Sequence, residues 1–439
     1  MPTLKFVTTS GRFNMLASEM DVNAGRLNDG ESMPELGGET FELARGVASG
    51  TRSKGELAGH SQVQIWRDWR QTEDGKVTQI RGAPVPDGTP LAVQPGAPAT
   101  LRFEGLQTER GITCEQVGLI MPTSLCSGQV ARLIAEELNS RADPIGGVPR
   151  YVALVHTEGC GSANAEHLYL QTLLGHLQHR FTKRAVLLEH GCEKTHNDAV
   201  RHYLDERGLG TERFGWASVQ LDGGIAGVSG KVIRWFEDSL RDDPYPAAAT
   251  VGVEELRLGV FASGDLPEHA AKALAGVVLG VVNGGGTVVI PAENALLDSA
   301  ALRETVLRDP AVPAASLAYG QPAERAGLHV MQAPTQDPTE MMSGLGGTGV
   351  EVMLGHMAHG PLQAHPMVPL LQISAARGVK ARYQADLDLL LHDEAAPDAL
   401  VEQILTCVGE TASRRYKPQL FGQGITNFQL TRGLLGVSL

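Results

Sequence analysis

The chain reads as an α/β protein: a parallel-sheet βαβ central domain and a second α/β C-terminal domain, preceded by a small β-rich N-terminal module. Three observations predict this. Between about 115 and 240, four short apolar runs each lead through a loop into an amphipathic stretch, the rhythm of a mainly parallel sheet with right-handed crossovers. A second series of strand-like and helix-like stretches follows from about 254. Residues 1–112 are rich in Gly, Ser and Pro, with short apolar stretches such as LKFVTT and VQIW between polar turns, which predicts strands and loops. The expected domains are therefore 1–112, 113–250 and 251–439.

Each β–loop–α unit of the central domain is visible in turn. VGLIM (117–121) leads through PTSLCSG into VARLIAEELNSR, and YVALV (151–155) through HTEGCGSAN into AEHLYLQTLLGHLQHR. AVLLE (185–189) leads through HGCEKT into HNDAVRHYLDERG, and WASVQL (216–221) through DGGIAGVSG into KVIRWFEDSL. RDDPYPAAAT (241–250) marks a boundary. Beyond it LRLGVFASG, TVVIPAEN, LHVMQ (328–332), VEVMLGH (350–356) and LLQISA (370–375) read as strands. PEHAAKALAGVVLGVVN and DALVEQILTCVGETA (398–412) read as helices. The Pro- and Gly-rich stretch 81–100 reads as a stiff loop or linker.

Composition excludes several function classes. The net charge of −13 over 439 residues opposes general binding to nucleic acid or to an anionic membrane surface, because neither gains counterion release from an acidic partner. No apolar run approaches the roughly 18 residues of a spanning helix, and MPTLKFVTTSGRF lacks the pattern of a signal peptide. A soluble cytoplasmic protein is expected. The five cysteines, an odd number without an export signal, argue for reduced thiols rather than a disulfide framework.

Three of those thiols carry the chemical expectation. Ligands of open parallel sheets bind at the carboxyl ends of the strands, where the βα loops gather. The first three loops each present a Cys (Cys126, Cys160 and Cys192), 34 and 32 residues apart, so all three fall at one sheet edge. His156 precedes Cys160, while His190, Glu193 and His196 surround Cys192. Thiolate and imidazole suit a borderline divalent metal, although a single Cys at a strand end is more often a small buried hydrophobe. A catalytic thiol is the competing use of any one of them. Weaker candidates for substrate contact are Thr123 and Thr157 in these loops, Asp222 closing the fourth strand, and Asp265, Asp337, His356 and His359 in the C-terminal half. Asp337 reads equally well as a helix cap. No P-loop, GxSxG or HExxH is present.

At these loops the sequence resembles the altronate dehydratase / D-galactarate dehydratase family, which includes the large subunit of sulfolactate sulfo-lyase. LIMPTSLCSGQVAR (119–132), VHTEGCG (155–161), VLLEHGCEKTHND (186–198) and NFQLTRGLLGVSL (427–439) carry the resemblance, which spans roughly 115–439. It implies a metal-assisted dehydration of a sugar acid or related hydroxy acid to a 2-keto-3-deoxy acid. It also implies a divalent metal, Fe2+ first and Mn2+ or Zn2+ next, on Cys126, His156, Cys160 and Cys192. His156, Glu193 and His196 are the expected acid–base residues, with a small anionic hydroxy acid as substrate and a homodimer as assembly. The chain departs from the family in places. Thr113-Cys114 stands where the family has Arg-Asn, Phe261-Ala262-Ser263-Gly264-Asp265 lacks a thiol and an acid, and a Cys-Thr-Gln-Lys loop is absent from a shortened 300–327. These departures leave two alternatives, a non-catalytic metal-binding relative and a Cys–His thiol enzyme.

Overall fold

The computed structural model describes residues 86–141, 145–159, 166–311 and 313–430, together with short strand pairs within the first 85. The expected N-terminal module otherwise lies outside the described residues, as does Cys160. Residues 86–160 and 170–430 form one compact unit built on two parallel sheets.

The first sheet contains all four expected strands, β3 (Val117–Pro122), β4 (Arg150–Ala153), β5 (Thr182–Glu189) and β6 (Phe214–Ser218), in the order β4-β3-β5-β6. Every pairing is parallel. Strand β3 is buried along its whole length, as a central parallel strand covered on both faces must be. Helices α1 (Leu125–Asn139), α2 (Glu166–Leu177), α3 (Asn197–Asp205) and α4 (Gly224–Leu240) make the crossovers. Helix α4 turns Val228, Val232, Phe236 and Leu240 inward, one face at helical spacing, onto a core shared with Ile134 and Leu188. Strand β4 is an edge, and Asn139 occupies it: its side chain takes the Tyr151 N–H at 2.7 Å and gives to the Tyr151 carbonyl at 2.8 Å. That contact blocks the addition of a further strand.

The second sheet has six parallel strands: β8 (Arg257–Ser263), β9 (Thr287–Pro291), β10 (Gly327–Met331), β11 (Val352–Met357), β12 (Leu370–Ser374) and β13 (Leu389–Leu390). Their order is β10-β9-β8-β11-β12-β13. Helix α5 (Glu268–Asn283) is buried on nearly every side, and helix α10 (Pro397–Ala412) packs against it.

Two details differ from the sequence reading. A third, antiparallel sheet joins β1 (Arg102–Thr108), β2 (Gly111–Thr113) and β7 (Ala248–Gly252), so the stretches read as boundaries near 112 and 250 pair with each other. Residues 86–100 are no free linker either. Leu91 bonds to the Leu328 carbonyl at 2.8 Å and Gln94 to the Val306 carbonyl at 2.8 Å, which covers the open edge of β10. Pro-rich composition suits such an edge because few ladder N–H groups are needed there.

The two parallel sheets meet through polar contacts. Arg150 holds Glu115 through two nitrogens at 2.6 and 2.7 Å and reaches the carbonyls of Pro366 and Met367. Helix α2 approaches the second half so closely that a Cβ at Gly175 would lie 2.3 Å from the Gly347 carbonyl oxygen and 2.6 Å from that of Gly320. Gly175→Ala is therefore expected to destabilise the fold by about 1–3 kcal/mol, despite the better helix propensity of Ala. A chemical-denaturation midpoint equal to or above wild type would contradict this.

Candidate active site

The parallel pairing puts the loops after β3, β4 and β5 at one sheet edge, and side chains stitch them together. Glu193 is the main link. Its Oε1 accepts from Thr123 Oγ1 at 2.8 Å, Ser124 Oγ at 3.0 Å and the His190 N–H at 2.8 Å; its Oε2 accepts from the N–H groups of Gly191 at 2.7 Å and Cys192 at 2.9 Å. Burial raises the carboxyl's pKa, but the donors outweigh that and hold it below the usual carboxylate range. A carboxylate with five donors stays ionised and has no proton to donate.

His156 ties the second loop to the first. Its Nδ1 accepts from the Glu158 N–H at 3.2 Å, so Nε2 carries the proton that it donates to the Pro122 carbonyl at 2.9 Å. Burial pushes its pKa down to about 4. Both ring nitrogens are thus engaged by backbone. Gly159, at φ 105°, lets the loop pass where a Cβ would lie 2.3 Å from the Thr123 carbonyl oxygen, and its own carbonyl accepts from Lys194 N at 3.3 Å.

Two thiols stand out from this scaffold. Cys126, in the first turn of α1, and Cys192 are both exposed, and Cys192 Sγ lies 3.3 Å from His190 Nδ1. His196 is exposed and caps α3 through Nδ1, which accepts from Ala199 N at 3.4 Å. Asp222 closes β6 but is held by Lys231 at 2.8 and 2.9 Å and by the Ser218 N–H.

The C-terminal candidates lie at the carboxyl edge of the second sheet. Asp265 and His359 are exposed. Asp337 caps helix α8 (Pro338–Gly347), accepting from Thr339 N and Glu340 N, as its alternative reading expected. His356 is buried in β11; its Nε2 accepts from Ala375 N at 3.1 Å. No hydrogen bond or ion pair among the described residues joins these four to the first loop cluster.

The connection runs through residues that the sequence reading did not select. Gln429 Oε1 accepts from the N–H and hydroxyl of Thr157 at 3.2 and 3.0 Å, and Gln429 N bonds to Ser343 Oγ on α8 at 3.3 Å. One turn before Ser343 stands Glu340, fully buried. Burial pushes its pKa up to about 7, against the hydrogen bond from Thr335. A cleft of about 600 Å3 opens beside these loops, lined by Leu125, His156, Thr157, Lys417, Asn427 and Gln429. Lys417 is exposed and makes no ion pair among the described residues.

No group of three His, Cys, Asp or Glu side chains placed to hold a metal occurs among the described residues. The exposed thiols of Cys126 and Cys192 fit a soft divalent ion. His156 does not fit without releasing a backbone contact.

Parallel strands and crossover helices define an α/β protein, and its loop cluster lies at the carboxyl edge, where proteins of that class commonly bind ligands. Two family models match the chain. The D-galactarate dehydratase/altronate hydrolase second domain matches residues 116–238, and the D-galactarate/altronate dehydratase C-terminal model matches residues 1–71. The chain therefore resembles the altronate/galactarate dehydratase family over these two stretches. The 1–71 match falls outside the stretch that carries the resemblance above, and it precedes the second-domain match in the chain. No curated protein matches the sequence. No helix among the described residues is long and apolar enough to cross a membrane.

Proposed function

We propose that the protein is a hydro-lyase that removes water from a sugar acid or related hydroxy acid to give a 2-keto-3-deoxy acid. The observation that carries this reading is the loop cluster of 123–126, 156–159 and 190–196, locked by Glu193 and His156, in the segment that matches the family's second domain. In the reaction the C–H beside the carboxylate loses its proton, the neighbouring hydroxyl leaves as water, and the enol becomes the keto acid.

A divalent metal, Fe2+ in first place with Mn2+ or Zn2+ as alternatives, would be held by Cys126 and Cys192 together with Cys160, and when bound it would polarise a substrate oxygen. The chain's own residues divide the remaining work. Glu193 and His156 position the loops, a reading their engaged atoms favour over proton transfer. The half-buried imidazole of His190 and the exposed one of His196, both at the third loop, suit a general acid or base. Lys417 and Asn427, which line the cleft, would meet a substrate carboxylate there.

The test is a panel of hexaric, hexonic and smaller hydroxy acids, incubated with protein purified without oxygen and supplied with Fe2+, and read as keto-acid formation. At least one acid is expected to turn over. Cys192→Ala is expected to lower metal occupancy and turnover together, since the metal would lose one of its thiolates. Metal uptake with no turnover of any acid would overturn the lyase reading in favour of a binding relative. Turnover that is metal-independent and abolished by alkylation of one thiol would favour the thiol enzyme.

A further inference from the structure

At the opposite, amino edge of the first sheet lies a second cleft, of about 690 Å3. It is walled by the first residues of β5 and β6, the turn between β1 and β2, and the end of α4. Strand β5 runs for eight residues from this cleft toward the Glu193 loops. At about 3.3 Å per residue the two sites stand roughly 25 Å apart.

In a chain of net charge −13, this cleft gathers Arg110, Lys183, Arg184 and Arg213. Three of them are anchored. Arg110 gives its hydrogen bonds to the carbonyls of Gln178, His179 and Thr182. Lys183 reaches the carbonyls of Gly146 and Pro244, and Arg184 pairs with Asp243 at 2.9 Å. Arg213 differs: its guanidinium lies 4.8 Å from the Phe214 ring centroid and forms no ion pair among the described residues. Glu109 and Glu212 also line the cleft, but neither makes an ion pair there. Burial, helped by the cations of Arg213 and Arg180 and opposed by Glu351, pushes the Arg110 pKa down to about 10; Asp243 offsets Lys183 and Arg184, while Arg213 keeps its donors outside any ion pair. A second, independent observation points the same way. Ser239 lines the cleft, and its Oγ is buried without a hydrogen-bond partner.

We propose that this cleft is a binding site for a small dianion, separate from the proposed active site, with Arg213 as the anchoring fork and Ser239 as a hydroxyl donor. Arg110, Lys183 and Arg184 supply a fixed positive field, while the free guanidinium supplies paired N–H donors matched to a carboxylate or phosphate. The partly exposed indole of Trp235 offers an apolar wall to the rest of the ligand.

Calorimetric titration of the full chain with inorganic phosphate and, separately, with malonate tests this, with chloride holding the ionic strength constant. Saturable binding of one equivalent is expected, weakened about tenfold or more in Arg213→Gln, or about 1.4 kcal/mol. Lys417→Gln, in the other cleft, and Lys272→Gln, on an exposed helix face, are expected to leave it unchanged. Binding of phosphate alone identifies a phosphorylated ligand, binding of malonate alone an organic diacid, and both support the site. Absence of binding by either dianion overturns the proposal. So does binding that survives Arg213→Gln or disappears in Lys417→Gln. Arg213 is exposed, so its replacement leaves the core intact, and a circular-dichroism melt equal to wild type confirms that the variant is folded.

Discussion

Glu193→Gln is expected to destabilise the protein by about 3–5 kcal/mol, the scale of breaking a buried charged network by altering one partner, and to abolish turnover. The carboxylate accepts from five donors, three at Oε1 and two at Oε2. Gln keeps one acceptor and replaces the other with an amide that donates. If the amide nitrogen takes the Oε2 position, it faces the N–H groups of Gly191 and Cys192. If it takes the Oε1 position, it faces the His190 N–H and two hydroxyls. Hydroxyls can rotate and backbone N–H groups cannot, so either orientation leaves at least one buried donor unpaired, at about 1–3 kcal/mol each. Because Thr123 and Ser124 belong to the first loop and 190–192 to the third, the loss also uncouples the two loops that carry Cys126 and Cys192. Urea denaturation of wild type beside Glu193→Gln and Glu193→Ala measures the first effect. A shift under about 1 kcal/mol would mean that the loops are held by something other than this carboxylate.

That residue shows how far the sequence could be read. The strands β3, β4, β5 and β6 were legible because buried parallel strands are short apolar runs, and because each is followed by a loop and a helix-length stretch. Cys126, Cys192 and His156 were placed at one edge by the same rhythm, without any knowledge of side-chain direction. Glu193 was visible as an acid beside a Cys, but its use depends on hydroxyls 70 residues away. No local pattern reveals such a partner, so an ionised anchor looked like a proton donor. His156 is similar: its engagement at both ring nitrogens by the Pro122 carbonyl and the Glu158 N–H is not revealed by spacing alone. Gln429 was hidden further still, 272 residues from Thr157. The one available signal for Glu340 was its place in the first turn of a predicted helix behind Asp337. The third sheet was missed because β1 and β7 pair across about 140 residues of intervening chain, and the short strand at 248–252 is only partly buried.

Stability is expected to fall steeply between pH 6.5 and pH 4, and the cause is a set of buried neutral histidines. His176 Nδ1 donates to the Thr172 carbonyl, which leaves Nε2 to accept from His365 Nε2 at 3.2 Å; His365 Nδ1 in turn accepts from the N–H groups of Met367 and Val368. His179 Nδ1 accepts from Phe181 N while Nε2 donates to the Val350 carbonyl. His156 and His356 likewise each face a backbone N–H with one ring nitrogen. In all five, a second ring proton would point at an existing donor. Burial accordingly pushes His156, His176 and His356 down to about 4, His179 to about 3, and His365 well below its ordinary value. The sign follows from linkage. The unfolded chain takes up these protons near pH 6.5 and the folded chain does not, so stability present above that pH is lost as pH falls toward the folded values. Glu340 acts in the opposite sense: pushed up by burial to about 7, it holds a proton in the folded state over a pH range where the unfolded chain's carboxylate has lost it, and it cancels roughly one histidine. Glu351 and Asp388, also raised by burial, act with Glu340, and the five histidines outnumber these three carboxyls, so the balance is a net loss of stability as pH falls below 6.5. Because His176, His179 and His365 join the first sheet's layer to the second, unfolding there is expected to open the contact between the two halves. Denaturant titrations at half-unit steps from pH 7.5 to 4.5 should show net uptake of protons on unfolding near pH 5.5, and a stability that stays flat down to pH 5 would sink this account.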